Sequence, residues 1–210
     1  MSQIIKTCIA LVLLTILNGC AVGVTHQYDN ASLNIKTPQS TKLGIGVQDI
    51  RVYVINKQKP ENFVGLSRGG YGNPFDVTTT SKKPLANDFS TSIQTALSAK
   101  GVQVDAISLP VGTSEPDAIK RLASTGEKSV LLMFNEWKAD TYMSTTLTYD
   151  IQALVIDANG TVLSRKRKGG SENLGGSVVN PPAHSRSAVP VAYRKILEDL
   201  FATPEISNYL

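Results

Sequence analysis

Two long runs, Ser129–Met143 and Thr145–Ile156, constrain this chain's fold more than any other feature of its sequence. Val130-Leu131-Leu132-Met133-Phe134 is apolar at five consecutive positions, a pattern that suits a central strand covered on both faces. The run then alternates through Trp137, Ala139 and Thr141. In the second run Leu147, Tyr149, Ile151, Ala153 and Val155 share one face. Asp157-Ala158-Asn159-Gly160 follows as a hairpin turn, because Asn-Gly accepts the positive φ angles such turns require. Thr161–Lys168 is the return strand.

The rest of the chain supplies helices for that sheet to pack against. Pro84–Lys100 places Leu85, Phe89, Ile93, Ala96 and Leu97 on one stripe, with Pro84 at its start and Gly101 suited to a left-handed cap at its end. Val102, Val104 and Ala106 then alternate as a strand. Ser114-Glu115-Pro116-Asp117 reads as an N-cap with an acidic first turn, opening a short helix that buries Ala118, Ile119 and Leu122 and stops at Gly126. Ser187–Phe201 carries a stripe of Val189, Ala192, Tyr193, Ile196, Leu197, Leu200 and Phe201, with Ser187 as its N-cap and Pro204 as its stop. Leu43–Ile55 alternates with a change of phase near Gln48-Asp49, as one strand with a bulge or two short ones. Asn56–Thr80 and Gly169–Arg186 are rich in Gly, Pro and Asn and read as long loops. The predicted class is α+β: a mixed, largely antiparallel sheet with helices packed on it.

The N-terminus supplies an address. Lys6 precedes Ile9–Leu17, a nearly continuous apolar run shorter than the roughly 20 residues a membrane span needs. It closes in Leu17-Asn18-Gly19-Cys20, which resembles the lipobox of bacterial lipoproteins. The expected organisation is a signal peptide over 1–19, a lipidated N-terminus and flexible tether over 20–41, and a single periplasmic α+β domain over 42–210. A short first strand drawn from Val22, Val24, Leu33 and Ile35 is the alternative to a tether. The resemblance implies a triacylated Cys20, and Ala21 after it points to the outer membrane.

Composition bounds the chemistry. The 210 residues suit one domain plus a tether, and 41% hydrophobic residues are enough for a core. The formal charge of +4 falls by one when Lys6 leaves, too mild an excess for a nucleic-acid partner. The two cysteines are Cys8, lost with the signal, and Cys20, so neither a disulfide nor a thiol nucleophile remains. His26 and His184 are isolated, and no Gly-x-Ser-x-Gly elbow or P-loop motif accompanies them. The expected catalytic, metal and cofactor assignments are therefore none. Glu136, Asp140 and Asp150 are the acids that a hydrolase of cell-wall or glycan material would draw on. Arg165-Lys166-Arg167-Lys168, with Arg68, is the candidate surface for an anionic partner. The bland reading of that run is an edge strand whose charges block sheet-to-sheet association.

The pattern as a whole resembles the YajG-like family of bacterial outer-membrane lipoproteins. The likeness runs from Pro84 to the C-terminus. It rests on Lys100-Gly101-Val102 after the first helix, Lys138-Ala139-Asp140-Thr141, Tyr149-Asp150-Ile151-Gln152-Ala153, the Asn159-Gly160 turn, a Gly-Gly loop, and a terminal helix ending near Glu205-Ile206-Ser207. The Asn56–Thr80 stretch is longer than the family pattern. The resemblance implies a fold and an address. It also implies a non-enzymatic binding or assembly role in the cell envelope, since related α/β lipoprotein domains act as assembly factors or synthase activators. Membrane attachment through lipid, an envelope protein or anionic glycan or lipid partner, and a homo-oligomer are the corresponding expectations. A subunit of an envelope secretion or assembly machine is a further alternative.

Overall fold

The computed structural model describes residues 23–210. The segment expected to be a signal peptide, Cys20 with its expected lipidation, Ala21 and Val22 lie outside the described residues. In chain order the elements are β1 (Thr25–His26), β2 (Lys42–Asp49), α1 (Val52–Ile55), β3 (Phe63–Arg68), β4 (Pro74–Thr79), α2 (Leu85–Ser98) and β5 (Gln103–Ile107). There follow α3 (Glu115–Ala123), β6 (Ser129–Thr141), β7 (Ser144–Ile156), β8 (Val162–Gly176), α4 (Pro181–Ala202) and α5 (Pro204–Ser207). The eight strands form one curled, mixed sheet with the helices packed on it.

The centre of that sheet is β6, as its apolar run requires. β7 pairs antiparallel with it along nearly its whole length, from Ser129↔Ile156 to Thr141↔Thr145, and β8 continues the antiparallel ribbon. The opposite edge of β6 is shared by two strands laid end to end. β2 runs parallel to its first half, from Gly44↔Ser129 to Asp49↔Phe134. β3 runs parallel to its last residues, from Gly65↔Ala139 to Ser67↔Thr141. β5 extends the sheet beyond β2, while β4 and then β1 extend it beyond β3.

Alternate residues of β6 feed two cores. Val130, Leu132, Phe134, Trp137 and Ala139 face the main core, with α2 and α4 lying over them. Leu131 and Met133 face a smaller cluster closed by Leu109, Ala118 and Leu122, the last two from α3. Helix α3 approaches closely because β2 carries glycine on that face. A Cβ added at Gly46 would lie 2.9 Å from Leu109 Cδ1 and 3.2 Å from Leu122.

The junction between β2 and β3 is closed by one side chain. β2 ends at Asp49, and Arg51 turns inward two residues later, with its side chain 0% exposed. Its Nε and Nη2 donate to the Asp49 carboxylate at 2.9 and 2.7 Å. Nη1 donates to the carbonyls of Phe63 at 2.6 Å and Trp137 at 3.3 Å, and Nη2 also reaches the Glu61 carbonyl at 3.3 Å. The Phe63 and Trp137 carbonyls lie where one parallel strand stops and the next begins, and the Glu61 carbonyl also accepts from the Leu85 amide at 3.0 Å. The guanidinium lies 5.2 Å from the Phe134 ring centroid. Burial opposes its charge, but the hydrogen bonds and charge of Asp49 outweigh burial and hold the Arg51 pKa above its ordinary value. On the other side of the gap, the Glu136 side chain accepts from the Trp137 amide at 2.9 Å.

Four sequence expectations change. The strand expected to run on to Ile55 stops at Asp49, because the Asp49 carboxylate captures the Arg51 amide at 3.1 Å and turns the chain into α1. Asn56–Thr80 is not a loop but contains the β3–β4 hairpin, whose period-2 pattern is broken by a bulge between Phe63 and Gly65. Gly169–Arg186 is largely ordered structure: β8 runs through Gly169-Gly170 to Gly176, and α4 begins at Pro181, capped by Asn180 Oδ1 accepting from the Ala183 amide at 3.0 Å. The segment expected to be a flexible tether is packed from Thr25 onward. β1 pairs with β4, and Tyr28, Leu33 and Ile35 are buried in the main core. The domain therefore starts well before residue 42.

Truncating Arg51 leaves Asp49 as a buried, unpaired charge and takes the arginine donor from the Phe63 and Trp137 carbonyls. Arg51→Met is expected to cost about 3–5 kcal/mol of folding stability, read from urea unfolding. Adding Asp49→Leu is expected to recover part of that loss, and a double variant no more stable than the single one would refute the pairing argument.

Candidate functional site

The residues singled out for chemistry are distributed along the sheet, and each has a partner. Arg165 donates to Glu115 at 3.1 and 2.6 Å. Lys166 meets Glu205 at 2.6 Å and Lys168 meets Asp199 at 2.8 Å. Arg167 forks onto Asp150, its Nε at 2.7 Å from Oδ1. Alternation along β8 sends Arg165 and Arg167 to one face, and Lys166 and Lys168 to the face where α4 and α5 lie. The run is thus split in two and matched charge for charge. Arg68 is likewise committed, with Nε and Nη2 donating to Asp140 at 2.8 and 2.6 Å. The five basic residues do not converge on an open anionic site. They clip β7, β8 and three helices together and pair β3 with β6, and solvent screening keeps each exposed pair weak.

The acids are occupied by the same contacts. Asp140 and Asp150 face the arginines just named. Glu136 accepts from the Tyr53 hydroxyl at 2.5 Å as well as from the Trp137 amide. A shallow depression of about 750 Å³ lies by Gly112, Asp117 and Arg121. Another, about 690 Å³, lies by Lys57, Glu61 and Lys82. A narrower cleft of about 180 Å³ runs between α2 and β5, by Asn87, Ser90, Gln94 and Ser108. None of these three brings two carboxylates together. Among the described residues no three of His, Cys, Asp and Glu gather at metal-binding distance.

The two histidines behave differently. His184 Nε2 lies 3.0 Å from the Leu174 carbonyl and steadies the start of α4 against the end of β8. His26 is fully buried instead of lying in a tether. Its Nε2 is 2.7 Å from Ser185 Oγ, and its Nδ1 is 3.5 Å from the Tyr28 hydroxyl. The Tyr28 oxygen in turn accepts from Trp137 Nε1 at 3.1 Å. With the imidazole proton placed on Nε2, a donor–acceptor chain runs from Trp137 to Tyr28 to Nδ1, then from Nε2–H to Ser185. Burial, aided by the Arg186 charge, pushes the His26 pKa down to about 3. A neutral imidazole beside a serine hydroxyl has the makings of a base and a nucleophile. Both residues are sealed from solvent, so this pair joins β1 to α4. Sequence reasoning missed it because His26 and Ser185 are 159 positions apart.

A further buried ionisable group is Asp88, in the first turn of α2. Oδ1 accepts from Ser81 Oγ at 2.7 Å, while Oδ2 has no partner. Burial pushes the carboxyl pKa up to about 6, against the opposing Ser81 hydrogen bond. Because the folded state holds the proton more tightly than the unfolded one, the stability due to Asp88 is present in full below pH 3.8 and is lost as pH rises toward 6. Relative to Asp88→Asn, wild-type stability is expected to fall between about pH 4 and 6 and to level off above. Urea midpoints of the two proteins across that range check it, and a constant difference would refute it.

No described helix is long and apolar enough to cross a membrane. No family model matches the chain, and no curated protein matches it in sequence. Its fold is similar to that of protein XCC0632 from Xanthomonas campestris, described by the family model DUF330, at 10% identity and a TM-score of 0.52, over 88% of this chain and 95% of that one. Lipoprotein GNA1162 from Neisseria meningitidis aligns at 10% identity with a TM-score of 0.35, over 75% of this chain and 98% of that one. A PelC dodecamer from Paraburkholderia phytofirmans aligns at 13% identity with a TM-score of 0.41, over 80% and 94%. The first likeness is one of fold. The other two are too distant to carry an argument.

Proposed function

We propose that this chain is an outer-membrane lipoprotein of the bacterial envelope, anchored through acyl chains on Cys20, and that its folded body is a non-enzymatic binding or assembly module. The observation that carries this reading is the apolar run closing in Leu17-Asn18-Gly19-Cys20. Ala21 supports the outer over the inner membrane. Each buried methylene of an acyl chain contributes about 0.8 kcal/mol of membrane affinity, so several chains together make release very slow.

The pairing of the basic residues and acids supports a structural role for them and directs attention to other surfaces. Asp140 and Glu136, the acids a hydrolase would use, are held by Arg68 and by Tyr53 and the Trp137 amide. A binding role fits side chains so committed better than a proton-transfer role, which needs a group within reach of substrate.

Intact-mass analysis of protein extracted from the membranes of the native host tests the anchor. The expected species starts at Cys20 and carries diacylglyceryl and amide-linked acyl mass. Cys20→Ser is expected to lose that mass and to remain unprocessed. A wild-type protein with a free sulfhydryl at Cys20 would overturn the assignment.

A further inference from the structure

Six of the eleven large hydrophobic side chains exposed among the described residues lie at one end of the sheet: Tyr71, Phe75, Tyr142, Met143, Val178 and Val179. The strand registers place them together. Arg68↔Pro74 closes the β3–β4 hairpin at this end. Ser67↔Thr141 sets the end of β6 beside it, and Ser144↔Gly176 sets the end of β8 beside β7. Hydrogen bonds join the three turns into one rim. The Tyr142 hydroxyl donates to the Gly70 carbonyl at 3.4 Å, and the Ser177 amide donates to the Met143 carbonyl at 3.0 Å. Tyr71 is 99% exposed and Val179 is 95% exposed.

Followed back from β1, the N-terminal chain points toward this same end. β1 runs parallel to β4, with Thr25↔Thr78, so the residues before Thr25 lead toward the Pro74 end of β4. Val24 lies four positions short of that end, its carbonyl accepting from the Thr78 amide at 3.3 Å. Cys20 precedes Thr25 by five positions. Five residues span at most about 18 Å when fully extended, well short of the thickness of a bilayer's hydrocarbon core, about 30 Å. A body held by lipid at Cys20 has no room to stand away from the membrane, and the end facing the membrane is the end that carries the rim.

We propose that this rim rests on the lipid surface, with Phe75, Met143, Val178 and Val179 at the acyl boundary and the Tyr71 and Tyr142 hydroxyls at headgroup depth. The proposal rests on the lipid-anchor reading for its orientation. Its chemistry is that of interfacial binding, in which apolar and aromatic side chains gain by leaving water while tyrosine keeps its polar tip wet. The rim then fixes which way the sheet points, and turns the opposite end, where Lys128 Nζ meets the Tyr209 carbonyl at 2.8 Å, away from the bilayer.

The test uses the full acylated chain, purified from host membranes and reconstituted in vesicles of phosphatidylethanolamine and phosphatidylglycerol carrying spin-labelled acyl chains. With Cys20 blocked and Cys8 removed, a single introduced cysteine is the one labelling site. Fluorophores at Tyr71→Cys and Val179→Cys are expected to be quenched by the lipid at least about twofold more than one at Leu163→Cys, at the far end of β8. Equal quenching at all three positions would overturn the proposal. So would protection of positions 71 and 179 from an aqueous quencher without lipid quenching, which would put a protein on the rim instead. Mass analysis of the same samples separates the two readings. If Cys20 is unmodified, the anchor reading fails, and flotation with the vesicles tests the rim alone. Flotation that is lost in the Tyr71→Ser, Val178→Ser, Val179→Ser variant keeps the proposal, and absence of flotation overturns it.

Discussion

The architecture depends on a buried arginine at the place where one strand edge changes hands. A single long strand, β6, offers one side to two shorter parallel strands in succession. Wherever such a handover occurs, backbone acceptors lose their ladder partners, and in a water-free interior an unpaired acceptor is costly. Arg51 meets the need because a guanidinium presents five donors in a planar fork. It serves the Phe63, Trp137 and Glu61 carbonyls while keeping its counter-charge, Asp49, on the last residue of β2. The pair is read best as a positional device. It sets where β2 stops and where β3 begins, and a buried ion pair is more dependable in that role than as a net source of stability.

Around this junction the aromatic side chains knit elements that are distant in sequence. Tyr28, Phe89, Phe134, Trp137 and Tyr193 meet at centroid separations of 4.6 to 6.1 Å. They come from the N-terminal segment, α2, β6 and α4. Edge-on and tilted contacts of this kind contribute beyond the area they bury. The polar tips are satisfied inside the cluster, with Trp137 donating to Tyr28 and Ser92 bonding Tyr193. The N-terminal segment is thereby part of the core.

Much of this was legible in the sequence, because it was written in local patterns. The run Val130–Phe134 identified the central strand, and Asn159-Gly160 identified the turn between β7 and β8. The stripes of α2 and the later part of α4 named their buried residues, and Ser114 named the cap of α3. What was not legible depended on contacts between distant positions. Thr25–Ile35 is polar in composition, and only the partners of His26 and Tyr28 in α2, β6 and α4 make it a core element. β3 hid behind its bulge. The start of α4 hid behind Pro181-Pro182, which read as loop although proline fits the first turn of a helix. The basic run was correctly placed on a strand, but its neutralisation depended on acids from α3, β7, α4 and α5. Arg51 carried a faint local signal, a charged residue two positions after Asp49 at the end of an apolar strand.

The entry of the chain through β1 also has a mechanical side. β1 lies parallel to β4 and enters along the strand direction. Tension applied through the N-terminus would therefore load the β1–β4 hydrogen bonds together, in shear, and would not peel them one at a time. Behind them the chain continues across the core to Ser40, whose amide is bonded to the Leu210 carbonyl at 3.0 Å. A pull at one end of the domain is in this way spread along its length, which would suit the lipid-anchored body proposed above.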